Sequence, residues 1–318
     1  GYGLSGKTFH APLVKACGDF DIVAIVSSRA DEIKNDFPKA KQCTFEQALN
    51  LCELVVISTP HQFHFEQAKA ALMAGKHVVV EKPFTPTLRE ARELFDLAEM
   101  KQCCLKVFFN RRFDADFLTL KKMMMNKELG DIVTIESHFD RFRPVAKENA
   151  WRENPGLQSG VWWDLGPHLI DQAVQLMGIP QDIDFDIGMQ REAKADDFFN
   201  ITFKYEKGRR FHLRASCIVK DFGFRFRVQA TKGSALFKSL DVQEDQLRSG
   251  MDANDPHFGI YPLNNFKVSE GINIKLEKGA YIDFYKDVAA CIRSNKNLVD
   301  QRDAVLFNTA VLLGNKRV

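Results

Sequence analysis

Residues 77–84, HVVVEKPF, constrain the fold more than any other stretch of the chain. Three consecutive β-branched residues, Val78, Val79 and Val80, read as a strand buried on both faces, as a parallel sheet between helix layers requires. The strand stops at Glu81 and Lys82, because Pro83 cannot donate to a ladder and biases Lys82 toward extended backbone. A lysine is thereby placed at the carboxyl end of a sheet strand, the edge where open α/β sheets bind ligands. Taken alone it also reads as a solvated loop lysine, so its role depends on what the rest of the chain supplies.

The first hundred residues supply the matching scaffold. Strand patterns at 21–28, 53–59 and 103–109 alternate with helical patterns at 30–37, 46–50, 64–75 and 88–102, with Gly75 as a C-cap. Such alternation predicts a doubly wound parallel sheet, a Rossmann domain over residues 1–110. Residues 1–6, GYGLSG, fit the dinucleotide fingerprint G-x-G-x-x-G, with Leu4 and Ser5 between its glycines and a helix over 7–15. Gly1 would make the tight turn, Gly3 would admit a pyrophosphate to the backbone, and Gly6 would let helix pack on strand. The phosphates would sit on the free N–H groups of the helix start. The fingerprint normally follows a strand, so an apolar strand is expected ahead of Gly1.

Beyond residue 110 the texture changes. A helix is expected over about 114–126, then a strand-like run from 132 to 143, a Trp/Gly/Pro-rich loop, and a helix over about 163–177. Strand patterns follow at 185–192, 198–219 with a turn at Lys207 and Gly208, 224–239 and 272–277. Two helices close the chain at about 280–294 and 302–314, and residues 251–266 read as a mobile loop. Residues 111–318 are therefore expected to form an α+β domain with a large, open, mostly antiparallel sheet. Strands over 184–237 offer more sheet face than these helices cover, and an uncovered apolar face would make the protein a homo-oligomer, a dimer first.

Charge narrows the choice of partners. The net charge of +2 comes from 44 basic and 42 acidic residues without long runs, which leaves no footprint for nucleic acid or a membrane surface. No apolar run reaches the roughly 18 residues of a membrane span, and no signal peptide is visible. The seven cysteines (17, 43, 52, 103, 104, 217 and 291) lack metal-ligand spacing. They read as reduced packing residues of a cytoplasmic protein, and no metal is expected.

Two further constellations carry chemistry. Asp164 and His168 stand four apart in the helix WWDLGPHLID, hence on one face, where a carboxylate can orient an imidazole and favour its protonated form. The alternative is a helix-capping aspartate and a core histidine, with Gly166 and Pro167 in the first helical turn. At the end of the second strand, where the adenosine ribose of a bound dinucleotide lies, the chain has Ser27, Ser28 and Arg29, with no acid before Asp31. Two hydroxyls and a guanidinium suit the 2′-phosphate of NADP, whereas an acid there would select NAD.

GYGLSG, the STP strand end (58–60), AGKHVVVEKP (74–83) and DLGPHLID (164–171) together resemble the glucose-fructose oxidoreductase/inositol dehydrogenase (Gfo/Idh/MocA) family over essentially the whole chain. FHAPL (9–13), FNRRFDADFLTLKK (109–122), SHFDRFRP (137–144) and WRE (151–153) are similar to its NADP-dependent scyllo-inositol dehydrogenase branch. The resemblance implies a nicotinamide-dependent dehydrogenase or reductase of polyols, inositols or sugars, NADP-preferring with NAD as the other cofactor. It makes Lys82, Asp164 and His168 the catalytic residues: His168 takes the hydroxyl proton, Asp164 tunes it, and Lys82 stabilises the developing oxygen charge. It places Thr59, Pro60 and His61 near the nicotinamide ribose, with Glu81 beside the cofactor as a carboxylate that fixes the strand end. Asn110, Arg111, Arg143, Trp163 and, less directly, His138 become candidates for substrate hydroxyls, though interdomain ion pairs explain the arginines equally well. His64 reads as a packing residue. The fold also occurs as a non-catalytic dinucleotide-binding regulator, but such a sensor has no need of all three catalytic side chains.

Overall fold

The computed structural model describes residues 1–146 and 158–314, so the WRE triplet at 151–153 lies outside the described residues. Two compact units emerge. The first comprises Gly1–Phe113, Gln243–Phe258 and Ala280–Thr309, and the second Asp114–Val242, Gly259–Gly279 and Ala310–Val318.

The first unit is Rossmann-like. Its parallel strands are β1 (Ala24–Ile25), β2 (Lys41–Gln42), β3 (Leu54–Ile57), β4 (His77–Val80) and β5 (Leu105–Val107). They alternate with α1 (Ala11–Cys17), α2 (Ala30–Asp36), α3 (Phe45–Leu49), α4 (His64–Met73) and α5 (Leu88–Met100). β4 is central to the order β3-β4-β5, and Val78, Val79 and Val80 have no accessible surface. Ala68 and Leu72 of α4 and Leu94 and Phe95 of α5 pack in the cluster that contains Val78 and Val80. Reciprocal capping boxes start α3 (Thr44 with Gln47) and α5 (Thr87 with Glu90), and Gly75, at φ 70°, follows α4.

Two expectations are corrected in this unit. The strand pattern over 21–28 forms a ladder only at Ala24–Ile25, paired with β2. The parallel strands thus fall into a pair, β1 with β2, and a triplet, β3 to β5. The unit also reaches beyond residue 110. The helix Tyr281–Ser294 lays Tyr281, Phe284, Tyr285 and Val288 against Val79 and Phe108, giving the sheet the second covered face that a parallel sheet needs.

The second unit is built on a seven-stranded mixed sheet. β6 (Ile132–His138), β7 (Asp182–Gly188), β8 (Phe198–Lys204), β9 (Arg210–Ser216), β10 (Phe226–Ala230), β11 (Ser234–Phe237) and β12 (Phe266–Val268) lie in the order β12-β11-β10-β6-β9-β8-β7. Only the β6–β9 pair is parallel. Lys207 and Gly208 take positive φ at the β8–β9 turn, where the dipeptide pattern places it. Strict alternation buries Phe199, Ile201, Phe203, Phe211 and Leu213, and α7 (Gly160–Met177), preceded by α6 (Ala115–Met125), packs on β8 and β9.

The remaining differences have local causes. The alternate sheet positions hold Glu136, His138, Thr202, Lys204, His212 and Arg214, so the uncovered face is polar rather than the apolar face expected for an interface. The edge strand is β12, one turn upstream of the expected strand at 272–277, which forms no ladder. The stretch 251–266 is anchored by Phe258 and Tyr261, 1% and 4% exposed. α7 begins at Gly160, so Asp164 is no cap and Pro167 lies inside the helix. A proline there removes the N–H that would bond the carbonyl four residues back.

Candidate active site

In the first unit, the glycine-rich turn has the packing of a dinucleotide loop. A Cβ at Gly1 would come within 2.9 Å of the Ser58 carbonyl oxygen, and one at Gly6 within 2.3 Å of the Gly1 carbonyl oxygen. At Gly3 a Cβ would meet nothing within 4 Å. Gly1 and Gly6 are therefore closed by the protein's own backbone, while Gly3 leaves space over the turn for a ligand. Ser58 Oγ donates to the Gly1 carbonyl at 3.0 Å, tying the turn to the end of β3. Leu4 is exposed and Ser5 donates to Glu81. The segment Gly6–His10 is a short π-helix that continues directly into α1.

Ser27, Ser28 and Arg29 stand where β1 ends. Gln42 donates to the Ser27 carbonyl at 2.8 Å, and Ser27 Oγ accepts from the Arg29 N–H at 3.3 Å. The half-exposed guanidinium of Arg29 pairs with Glu32 at 3.1 Å, and Lys7 lies 2.7 Å from the same carboxylate. Sequence spacing shows no acid before Asp31, but one turn of α2 brings Glu32 back to Arg29. The open turn leaves room for the phosphates of a dinucleotide.

At the end of β4, Lys82 is half-buried and its peptide bond to Pro83 is cis. Glu81 is buried. Burial by itself raises its pKa, but the hydrogen bond from His10, the charges of His10 and Lys82, and the Ser5 hydroxyl outweigh it and hold the pKa at about 2. His64, 1% exposed, reaches the Thr59 carbonyl at 2.9 Å through Nε2 and the Pro83 carbonyl at 3.0 Å through Nδ1. It thus joins the ends of β3 and β4, and burial lowers its pKa against the pull of these carbonyls. Pro60 and His61 open the short 3₁₀ turn that leads into α4. Asn110 and Arg111 are buried in the turn after β5. Arg111 donates to Tyr281 at 3.0 Å and pairs with Glu244, an ion pair within the first unit.

In the second unit, α7 carries the other candidates. Trp163 and Asp164 are half-buried on its second turn, and His168 is buried one turn further on. Asp164 lies 3.7 Å from Arg141, whose backbone is pinned to Ser216 and Val219. The helix start is set from afar. Asp196 accepts from the Trp162 N–H at 2.6 Å, and Gly160, at φ +90°, leaves no room for a Cβ beside that carboxylate. Burial raises the pKa of Asp196 despite these backbone donors. Arg143 is exposed, and its carbonyl accepts from Arg191 at 2.7 Å. His138 packs on Phe224, with Asp140 at 3.5 Å. His10, Arg141 and Asp196 were not singled out by motif or spacing. Among the described residues there is no cluster able to hold a metal ion and no helix long and apolar enough to cross a membrane.

The fold and this turn define an oxidoreductase with an NAD-binding Rossmann domain. The profile described as "Oxidoreductase family, NAD-binding Rossmann fold" matches residues 1–109, and that of the GFO/IDH/MocA C-terminal domain matches residues 117–236. The chain belongs to the Gfo/Idh/MocA family. It is 43% identical over 255 residues (79% of this chain, 73% of the relative) to the uncharacterized oxidoreductase YdgJ of Escherichia coli. It is 37% identical over 310 residues (94% and 86%) to the scyllo-inositol 2-dehydrogenase (NADP(+)) IolW of Bacillus subtilis. The crystal structure of YvaA from Bacillus subtilis superposes with a TM-score of 0.91 at 34% identity, over 98% of this chain and 92% of the other.

Proposed function

We propose that the protein is an NADP-preferring dehydrogenase or reductase that acts on a hydroxyl or carbonyl of a polyol, inositol or sugar. The observation that carries this reading is the presence of Lys82, Asp164 and His168 in a chain that aligns along 94% of its length with an NADP-dependent inositol dehydrogenase. A bound nicotinamide supplies the hydride acceptor or donor. The protein's own part is proton management and orientation. His168 takes the proton of the substrate hydroxyl and returns it in reduction. Asp164 sets the imidazole's basicity, and Arg141 holds Asp164 in place. Lys82 donates to the reacting oxygen and stabilises its charge. Asn110, Trp163 and Arg143 are proposed to face the remaining hydroxyls. A homodimer is proposed on the polar face of the second unit's sheet. The test is a panel of inositols and aldoses, and of their keto forms with reduced cofactor, assayed with NADP and NAD. Turnover of a polyol with NADP supports the reading, and silence across the panel in both directions with both cofactors refutes it.

A further inference from the structure

Glu81 sits between the glycine-rich turn and Lys82, and its surroundings are more specific than a strand end requires. One carboxylate oxygen accepts from Ser5 Oγ and lies 3.0 Å from His10 Nε2, while the other accepts the Lys82 backbone N–H at 3.0 Å. His10 Nδ1 lies 2.6 Å from the Tyr285 hydroxyl, and the imidazole packs on Phe108 with 4.3 Å between ring centres. His10 is 3% exposed, Glu81 9% and Tyr285 0%. An ionised carboxylate only accepts, so the proton of the imidazole that faces it is on Nε2. Tyr285 is kept protonated by burial and by the nearby Glu81 charge, and its hydroxyl is hydrogen-bonded to Nδ1. Tyr285, His10 and Glu81 thus form one buried hydrogen-bonded chain, and Ser5 and the Lys82 N–H complete the carboxylate.

Support for a strand end does not call for a charge. Burying a carboxylate costs several kcal/mol unless partners compensate, and a neutral side chain would brace the backbone without that cost. What the charge adds is its action on the neighbouring Lys82 ammonium, and what the hydroxyl contact adds is a link to the turn. We propose that Glu81 is a positioning residue that couples occupancy of the glycine-rich turn, through Ser5, to the orientation of Lys82, with His10 and Tyr285 as its buried support. The coupling to cofactor rests on the dinucleotide reading of Gly1–Gly6; the link between Glu81 and Lys82 does not.

The test reads Lys82 directly. Lysines of the full chain are labelled by reductive methylation with ¹³C-formaldehyde, and the Lys82 dimethylamine resonance is assigned with Lys82→Arg. Without cofactor, Glu81→Gln is expected to displace the Lys82 resonance from its wild-type chemical shift, because the amine loses a neighbouring anion. Tyr285→Phe, which removes one hydroxyl and keeps the ring, is expected to move the same resonance in the same direction by less, and it serves if Glu81→Gln fails to fold. With saturating NADP⁺, the resonance is expected to shift in the wild type and to shift less than half as far in Ser5→Ala. A purely structural role would change the melting temperature and leave both readouts alone. Unchanged cofactor-free resonances in folded Glu81→Gln and Tyr285→Phe, with a full ligand-induced shift in Ser5→Ala, would overturn the proposal. Failure of wild type to bind NADP⁺ or NAD⁺ would instead overturn the dinucleotide reading, while the cofactor-free resonances still decide the link between Glu81 and Lys82.

Discussion

Arg29→Ala is the perturbation that best separates NADP from NAD. A hydrogen bond to a charged group contributes about 1.5–3 kcal/mol, and the guanidinium, with 51% of its side chain exposed, belongs at the lower end because solvent and salt screen it. Arg29 must also leave Glu32, 3.1 Å away, before it engages a 2′-phosphate. The expected loss is therefore about tenfold in the NADP⁺ dissociation constant at low salt. NAD⁺, which lacks the phosphate, should change by no more than about twofold, as for an ordinary surface substitution. Two companion variants sharpen the argument. Glu32→Gln removes the competing carboxylate and should tighten NADP⁺ selectively, and Ser28→Asp should shift preference toward NAD⁺ by repelling the phosphate. Titration calorimetry with both cofactors on all four proteins, at one ionic strength and then at higher salt, reads each term. Equal losses for NADP⁺ and NAD⁺ in Arg29→Ala, or a selective loss that salt does not reduce, would refute the phosphate contact.

Lys82→Ala and His168→Ala should each lower kcat by about 10²–10⁴-fold while cofactor binding stays nearly intact, and kcat within a few fold of wild type removes that residue from the mechanism. Gly160→Ala forces a side chain into φ +90° with its Cβ 2.0 Å from the Asp196 carboxylate. Strain and loss of the Asp196 contact should cost about 2–4 kcal/mol in urea unfolding, and a loss below about 1 kcal/mol would show that the helix start relaxes without penalty. The Glu81 pKa is depressed to about 2. Its contribution, of order 3 kcal/mol, is present above the unfolded carboxylate value near 4.3 and is lost as pH falls toward 2. Glu81→Gln should accordingly flatten the acid limb of stability between about pH 5 and 2, and an unchanged limb would assign acid unfolding to other carboxylates. Light scattering at micromolar concentration should give twice the chain mass, and a monomer mass would discard the dimer.

What was legible in the sequence depended on range. Val78–Val80, the helices that flank them and the turn at Lys207–Gly208 are determined by residues within a few positions of one another, and the structure places them where periodicity and φ preferences put them. The strand pattern over 21–28 failed for the opposite reason. A β-propensity is realised only where a neighbour offers a ladder, and here the two-residue strand Lys41–Gln42 pairs with Ala24–Ile25 alone. Composition showed that strands outnumber covering helices in the second unit. It could not show which alternate residues face outward, and His212 and Arg214 on that face make it polar.

The candidate site divides along the same line. The residues proposed to form the site sit in short motifs, since a tight turn, a strand end and a helix face each need neighbours in sequence: Gly1–Gly6, Glu81–Lys82, Asp164–His168. Residues that hold those motifs in place obey no spacing rule. His10 and Tyr285 are 275 positions apart, His10 and Glu81 are 71 apart, and Asp196 caps a helix whose Trp162 N–H is 34 residues upstream. Each of these distant partners is a polar group that burial obliges to find a hydrogen bond, and only the folded chain shows which one it finds. The arginines illustrate the consequence. Arg29, Arg111 and Arg141 are indistinguishable as residue types, yet one is half-exposed beside a single carboxylate, one is buried between Tyr281 and Glu244, and one faces Asp164. Only the first retains an exposed guanidinium to offer a phosphate; the sequence justified suspecting Arg29 and Arg111 but not Arg141, and only their surroundings assign the three different work.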